Sequence, residues 1–195
     1  MDESRKILES WPQFATIKGL SERRLLPRKG KIRLGERRKK RRPDGSEVEY
    51  PVDLDHFRVP PEVAAVYGEA PRELDVILPV EDPRVCFPHA LKAYGKNHRL
   101  KCKGDGERAL RHVLPGDWYL DPATGEDCVS EKEDRVECGC PCRWLNEGLC
   151  APRACLQVML PRVDVGGVYQ VDTGSHMAIV TINSLMDYLR DICGR

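Results

Sequence analysis

Apolar and polar residues alternate in several short segments of the chain, which is the pattern of half-buried strands. We predict strands at five places: residues 31–35, 74–80, 99–104, 156–161 and 167–173. The segment "LDVILPV" (74–80) is predicted to be a buried strand. Residues 175–183 are predicted to be extended as well, and Gly166-Gly167 is the predicted turn between the two strands before them.

Two short helices are predicted from the residues at their ends. The segment "VPPEVAAVYG" (59–68) places Pro61 in a first helical turn and Gly68 at the stop. The segment "FPHALKAYG" (87–95) predicts a second short helix, which ends at Gly95.

A third helix, "SLMDYLRDICG", is predicted near the C-terminal end, with Asn183 or Ser184 as its cap. Its apolar residues fall on one helical face: Leu185, Met186, Leu189 and Ile192. Residues 1–21 contain "ESRKILESW", which predicts a short amphipathic helix.

Two tight turns are predicted from glycine and aspartate. Pro43-Asp44-Gly45 is the predicted turn between two extended pieces, so the basic residues before it are expected to form the exposed arm of a hairpin. The segment "CKGDGERALR" lacks the Gly-Lys-Ser/Thr ending of a phosphate-binding loop. We therefore interpret it as a turn in which Asp105 caps a helix that carries Ala109 and Leu110.

Strands and short helices are mixed without βαβ periodicity, which indicates an α+β fold. We predict mixed or antiparallel strands with short helices and an inserted zinc-binding cysteine loop at about 128–155. The predicted domains are an N-terminal segment, 1–28, and an α+β domain, 29–195.

The composition is compatible with a chain that buries a core without disulfides. It has 195 residues, of which 41% are hydrophobic, 32% charged and 6% aromatic. The first residues, "MDESRKILESW", do not have the apolar run of a signal peptide, and no segment approaches the roughly 18 apolar residues of a membrane helix. We therefore expect a cytosolic protein without membrane contact.

The charge is distributed unevenly. Residues 23–42 hold 12 Lys or Arg and one acid, Glu36, for a net charge of +11, whereas the whole chain has +1. A basic block on an acidic body suggests contact with a polyanion or with an acidic protein surface, although a solvated loop explains the run equally well. The predicted contact residues are Arg37, Arg38, Lys39, Lys40, Arg41 and Arg42.

Cysteines are crowded in "ECGCPCRWLNEGLC", which carries Cys138, Cys140, Cys142 and Cys150. In a reducing compartment such a cluster indicates a metal site rather than disulfides, and structural zinc takes about four thiolates. The residues leave the fourth ligand open: the remaining clustered cysteine, Cys155 or Cys102.

Two alternatives to zinc remain for these cysteines: an iron–sulfur cluster, or a set of unrelated thiols. The isolated Cys86 and Cys193 are interpreted as packed apolar residues.

The order of several motifs resembles a known family. These are "KGKIRLG" (29–35), "YPVDLDHFRV" (50–59), "VYGEAPRELDVILP" (66–79), "LKCKGDGERALR" (100–111), the cysteine stretch, and "LPRVDVGGVYQVDTGSHMAIVTINSLMDYLR" (160–190). The chain resembles, from about residue 29 to 193, the actinophage-type recombination directionality factors of temperate phages that use large serine integrases.

The resemblance implies a protein that is not an enzyme and acts in the cytoplasm of a bacterial host. It implies binding to a phage large serine integrase, at the coiled-coil region of that enzyme's C-terminal zinc domain, and contact with attachment-site DNA through the integrase. Binding would turn off attP × attB integration and permit attL × attR excision. The family's cysteine pattern implies a structural Zn²⁺ on Cys138, on Cys140 or Cys142, and on Cys150, and we take Cys102 as the fourth ligand.

Two other functions compete with this one. The first is a zinc-stabilised phage replication protein that binds single-stranded nucleic acid; the basic run favours it, and the shortage of aromatic residues for base stacking disfavours it. The second is a zinc-dependent hydrolase or nuclease, which requires an open metal site with His or carboxylate ligands that the cysteine cluster does not offer.

Overall fold

The computed structural model describes residues 26–43, 45–95 and 97–193. Its strands are β1 (Arg28–Arg41), β2 (Glu47–Arg58), β3 (His89–Tyr94), β4 (Leu100–Gly104), β5 (Arg108–Val113), β6 (Trp118–Leu120), β7 (Asp127–Val129), β8 (Asp134–Gly139), β9 (Cys150–Leu160) and β10 (Asp164–Thr173). Its helices are α1 (Pro61–Tyr67), α2 (Pro83–Cys86), α3 (Arg143–Asn146) and α4 (His176–Cys193). The amphipathic helix predicted within residues 1–21 lies outside the described residues.

Eight of these strands form one sheet in the order β2-β1-β10-β9-β3-β4-β5-β8, and β6 pairs with β7 in a separate hairpin. The pair β1–β10 is parallel. The other pairs of the large sheet are antiparallel. The prediction of an α+β fold with mixed strands and short helices is therefore confirmed.

One core lies between α1 and the middle of the sheet. Val63 of α1 is fully buried and packs with Ile32 of β1 and Leu160 of β9. Tyr169 of β10 completes this core, and its hydroxyl lies 3.4 Å from a carboxylate oxygen of Glu62. Burial of such apolar side chains is the main force that holds helices on a sheet.

A second core joins α2 and α4 to the same sheet. Cys86 and Phe87 are buried with Ala154 of β9 and Met186 of α4. The prediction that Cys86 is a packed residue is thus confirmed. In the described residues no helix is long and apolar enough to cross a bilayer.

Three predictions for residues 31–68 are confirmed. The strand at 31–35 lies within β1, and the backbone amide of Arg42 donates to Ser46 O across the hairpin turn, at 2.8 Å. Gly45 has φ +83°, a conformation that glycine adopts without strain. In α1, Pro61 lies in the first turn and Gly68 is the C-cap, as predicted.

The helix predicted at 87–95 is wrong, because these residues form β3. This strand pairs with β4 on one side and with β9 on the other. So short a segment is a marginal helix by itself, and pairing on both edges satisfies its backbone groups better than a single helical turn would.

The helix predicted to carry Ala109 and Leu110 is wrong as well, since both residues lie in β5. The tight turn before it is confirmed. A carboxylate oxygen of Asp105 accepts from the backbone amides of Glu107, at 2.9 Å, and Arg108, at 2.8 Å. Asp105 therefore closes the turn of the β4–β5 hairpin and does not cap a helix.

The buried strand predicted at 74–80 is reduced to one isolated bridge between Ile77 and Met159. Val76 is 50% exposed and Ile77 46% exposed, so the segment is not buried along its length. Pro79 has no backbone N–H to donate, which prevents a longer ladder.

The extended segment predicted at 175–183 is helical, and neither Asn183 nor Ser184 is a cap, because α4 begins at His176. The Ser175 hydroxyl accepts from the backbone amide of Ala178 at 3.3 Å, which is the interaction of an N-cap. The residues of α4 that pack against the sheet are Ile179, Ile182 and Met186.

The apolar face predicted for the last helix is only partly correct. Met186 is buried, whereas Leu185, Leu189 and Ile192 are 53%, 41% and 62% exposed.

The turn predicted at Gly166-Gly167 lies instead at residues 161–163, and both glycines belong to β10. A Cβ on Gly167 would lie 2.5 Å from Pro27 O, so glycine is needed here because the chain before β1 passes very close.

Candidate functional site

Five cysteines come together at one end of the sheet, and we call them the thiol cluster: Cys102, Cys138, Cys140, Cys142 and Cys150. Cys102 lies on β4 and Cys150 on β9, and both pair in register with Ala93 of the strand between them. Cys138 lies on β8 opposite Ala109. The small side chains of Ala93 and Ala109 leave space above the sheet that the sulfurs share.

The thiol cluster is shielded from solvent by α3. Cys142 is the N-cap of this helix, and its carbonyl accepts from the backbone amides of Leu145 and Asn146. Trp144 and Leu145 then pack against the buried cysteines. Cys102, Cys138, Cys142 and Cys150 are all at most 8% exposed, and Cys140 is half-buried.

The thiols lie close enough to affect one another's ionisation. A hydrogen bond between the sulfurs of Cys102 and Cys138 raises the pKa of Cys102 and lowers that of Cys138. Burial, followed by the neighbouring thiols of Cys142, Cys150 and Cys102, raises the pKa of Cys140 to about 11. Burial also raises the pKa of Cys150.

These contacts do not amount to a formed metal site. Among the described residues, no group of three or more His, Cys, Asp or Glu side chains could hold a metal ion as it stands. The structure therefore brings the five predicted cysteines together without arranging them as ligands.

Cys155, the alternative fourth ligand, does not lie with the cluster. It is five residues after Cys150 on β9, so the two side chains point to opposite faces. Its thiol interacts with Asp172, and burial together with this carboxylate raises the pKa of Cys155 to about 11. Cys193, predicted to be packed, is exposed at the end of α4.

Sequence reasoning missed one residue of this site, Arg111. Its side chain is 5% exposed, and its guanidinium carbon lies 3.5 Å from the ring centre of Trp144. Arg111 pairs in register with Cys102. Alternation along β5 places Arg111 on the buried side with Ala109 and Val113, so a strand prediction over 108–113 would have found it.

The predicted contact residues Arg37 to Arg42 lie on the hairpin of β1 and β2. Pairing of β1 with β10 ends at Ile32, and beyond it β1 pairs only with β2. We call residues 36–51 the basic ribbon. Its cations are all exposed, which confirms the predicted exposed arm.

Acidic residues of β2 neutralise much of the basic run. Arg37 pairs with Glu49 and Lys39 with Glu47, each at 3.6 Å, and Arg38 bonds Glu36 on its own strand. The whole hairpin, 28–58, contains eleven Lys or Arg and six Asp or Glu. Its net charge is therefore about half of what the basic run alone suggests.

The unpaired charge of the ribbon is concentrated at its tip. The side chains of Lys40, Arg41 and Arg42 have no ion-pair or hydrogen-bond partner among the residues that the structure describes. Side chains directly opposite each other share a face of a two-stranded ribbon, so Lys40 lies with Val48, and Arg38 with the exposed Tyr50.

Helix α4 presents a second exposed surface, which we call the α4 stripe: Met177, Leu185, Tyr188 and Ile192. These residues are 68%, 53%, 61% and 62% exposed. Their helical spacing places them on one side of α4, away from the face that packs on the sheet. Several large apolar side chains exposed on one side of a helix are compatible with a surface that binds another protein.

The fold and its surfaces define an α+β protein with a cysteine-rich end, a basic ribbon and an exposed apolar helix face. The family model "Gp3-like: Recombination directionality factor-like" matches residues 29–195, and the chain belongs to this family. No curated protein and no solved structure matches the chain significantly.

Proposed function

We propose that this chain is a recombination directionality factor that binds a phage large serine integrase. In this proposal it contacts the coiled-coil region of the integrase's C-terminal zinc domain, in the cytoplasm of the bacterial host. Binding turns off attP × attB integration and permits attL × attR excision. The observation that carries the proposal is the family match, which extends over nearly the whole described chain.

The function requires binding and no catalysis. A protein that binds one arrangement of the integrase more tightly than another shifts the population toward the first. The ratio of the two populations changes by the ratio of its two affinities. A difference of about 3 kcal/mol changes the ratio by roughly a hundredfold. A modest contact surface on the directionality factor is sufficient for this.

The α4 stripe is the contact surface that we propose for the integrase. Met177, Tyr188 and Ile192 are each more than 60% exposed, although they are large apolar side chains. A coiled coil presents elongated apolar and charged faces, to which a single exposed helix can add side by side.

The tip of the basic ribbon is the surface that we propose for DNA held by the integrase. Lys40, Arg41 and Arg42 form no ion pair with the described residues, and they lie on the part of the ribbon that extends beyond β10. Exposed cations of this kind contact phosphates, with a contribution that decreases as the salt concentration rises.

We also propose that the thiol cluster binds one structural Zn²⁺. Thiolates are the ligands that zinc prefers in structural sites, and four of the five cysteines are buried next to one another. Arg111 supports this proposal, because its buried Nε has no hydrogen-bond partner among the described residues. Its positive charge would be balanced by thiolates that bind a metal ion. Cys102, Cys138, Cys142 and Cys150 would hold the ion, which would fix α3 to β4, β8 and β9.

The experiment that tests the function is a recombination assay with the cognate integrase, scored for both reactions side by side. We expect attL × attR products to appear and attP × attB products to decrease when this protein is added. If neither reaction changes while the integrase alone is active, the proposal is wrong.

The free cations of the ribbon tip also favour a second candidate, a replication protein that binds single-stranded nucleic acid. A titration with a fluorescent oligonucleotide at several salt concentrations distinguishes the two. Tight binding in the absence of integrase, with no effect on recombination, would favour the second candidate.

A further inference from the structure

The guanidinium of Arg111 lies in the interior of the protein without the carboxylate that a buried cation normally has. Its side chain is 5% exposed, and its Nε has no hydrogen-bond partner in the described part of the chain. None of the ion pairs formed by described residues includes Arg111. A buried and unpaired charge is costly, so the chain needs a negative group close to this one.

The thiol cluster lies next to Arg111 and becomes negatively charged when its cysteines ionise. The residue faces Cys102 across the β4–β5 pair, and its guanidinium lies on Trp144, which packs against the buried cysteines. Neutral thiols do not balance a guanidinium. A set of thiolates around a divalent cation does, because it has more negative than positive charge.

We propose that Arg111 is a positioning residue of the thiol cluster, whose guanidinium balances the charge of the metal-bound cysteines and donates its Nε–H to one of their sulfurs. The inference rests on the proposed metal site. Hydrogen bonds and charges around first ligands commonly determine how tightly a protein site holds its metal.

Trp144 holds the guanidinium in place before any metal binds. The indole ring lies against the guanidinium face at 3.5 Å, which is a favourable cation–π distance. The backbone of Trp144 is fixed by a hydrogen bond from the amide of Leu149 to its carbonyl at 2.9 Å, and its ring packs against the thiol cluster. The stacked guanidinium has its N–H groups at the edge of the stack, where they can donate to sulfur.

The test compares variants of the full chain, purified under reducing conditions and freed of metal. Arg111→Met removes the charge and keeps the apolar stem, and Arg111→Lys keeps the charge. Arg108→Met is the matched control, because Arg108 lies on the same strand with its side chain 70% exposed and paired with Glu137. Zn²⁺ affinity is measured by competition with a chromophoric chelator, and Co²⁺ binding is measured by the absorbance of its thiolate complex. The stability of the metal-free protein is measured by urea unfolding in excess chelator.

We expect Arg111→Met to weaken Zn²⁺ binding by about 10- to 100-fold, while the metal-free protein keeps or gains stability because an unsatisfied buried group is gone. Arg111→Lys should retain more affinity than Arg111→Met, and Arg108→Met should bind as the wild type does. If Arg111→Met does not fold, Arg111→Gln, which is also uncharged, replaces it with the same expectation.

Three results overturn the inference. Wild-type affinity in Arg111→Met removes the role of the charge, and equal losses of stability with and without metal show that Arg111 only packs. A wild-type chain that binds neither Zn²⁺ nor Co²⁺ rejects the metal site and the role of Arg111 together. The recombination assay decides the directionality function separately from all three.

Discussion

The side-chain amide of Gln157 donates a hydrogen bond to the carbonyl oxygen of Val85 at 2.6 Å. Gln157 lies on the central strand β9, and Val85 lies in the short helix α2, so this bond joins α2 to the sheet. Both groups are partly buried, which makes the bond worth more than one made in water.

Replacement of Gln157 by Met should destabilise the protein by about 1–3 kcal/mol, because the Val85 carbonyl loses its partner in a partly buried place. Urea unfolding measures the change. Gln170 provides the control. It lies on β10, directly opposite Gln157, and its side chain forms no hydrogen bond with a residue that the structure describes. An equal loss in Gln170→Met would show that the hydrogen bond is not the cause.

Removal of metal should destabilise the protein. If free zinc is a thousand times its dissociation constant, binding adds about 4 kcal/mol to stability, and an excess of chelator removes this amount. We expect one zinc per chain by elemental analysis, and a lower melting temperature after chelation. Protein purified without chelator that contains no stoichiometric zinc contradicts the proposal.

Single serine variants identify the ligands. We expect Cys102→Ser, Cys138→Ser, Cys142→Ser and Cys150→Ser each to lower zinc affinity strongly. Cys140→Ser should have a smaller effect, because Cys140 is only half-buried, and the exposed Cys193 serves as the control. A loss in Cys140→Ser as large as in Cys142→Ser would assign the ligands differently.

The tip of the basic ribbon should contribute to assembly on DNA and little to binding of free integrase. Changing Lys40, Arg41 and Arg42 together to Gln removes three cations that form no ion pair with the described residues. Changing Arg37, Arg38 and Lys39 to Gln removes three paired cations and is the matched control. Gel-shift titrations at several salt concentrations should show a larger loss, and a smaller salt dependence, for the tip variant. Equal losses of DNA-dependent and DNA-independent binding would argue against a phosphate contact.

The α4 stripe should be needed for integrase binding and not for folding. Tyr188→Ser combined with Ile192→Ser should weaken binding at least tenfold, because both side chains are exposed and apolar. Unfolding free energy should change by less than about 1 kcal/mol. Val165 is 63% exposed but lies on β10, so Val165→Ser is a suitable control in a surface plasmon resonance experiment. Unchanged binding of the double variant would place the contact elsewhere.

Elements with strong local signals were predictable from the sequence. Pro61 and Gly68 mark the ends of α1, and the turn at Pro43 to Gly45 marks the β1–β2 hairpin. In these places the backbone preferences of proline and glycine agree with the final structure, so nothing distant in the chain has to override them.

The errors arose where distant contacts decide the structure. Residues 89–94 contain good helix formers, yet β4 and β9 take them up as a strand from both sides. In α4, residues 179–182 are all β-branched, which is typical of a strand. The predicted helix began only at Asn183 or Ser184, so the helical spacing of Ile179, Ile182 and Met186 was not recognised. Pattern alone does not weigh these tertiary contacts.

The candidate site shows the same limit. Crowding of Cys138 to Cys150 predicted a cluster, and the structure adds Cys102 from a distant strand, which was one of the candidates for the fourth ligand. Arg111 was missed because a wrong helix prediction for its segment concealed the alternation of β5. The ribbon was found, but its charge was overestimated, because Glu47 and Glu49 follow the basic run after the turn.

The separation of the thiols along the chain has a consequence for folding. Four of them lie between Cys138 and Cys150, and a disordered chain can bring these to one ion by closing only short loops. Cys102 reaches them only after β4, β5, β8, β3 and β9 have assembled. An ion bound by these four local thiols would stabilise the unfolded chain. If Cys102 replaced one of them, tight binding would require the assembled sheet, and the ion would stabilise the folded state instead.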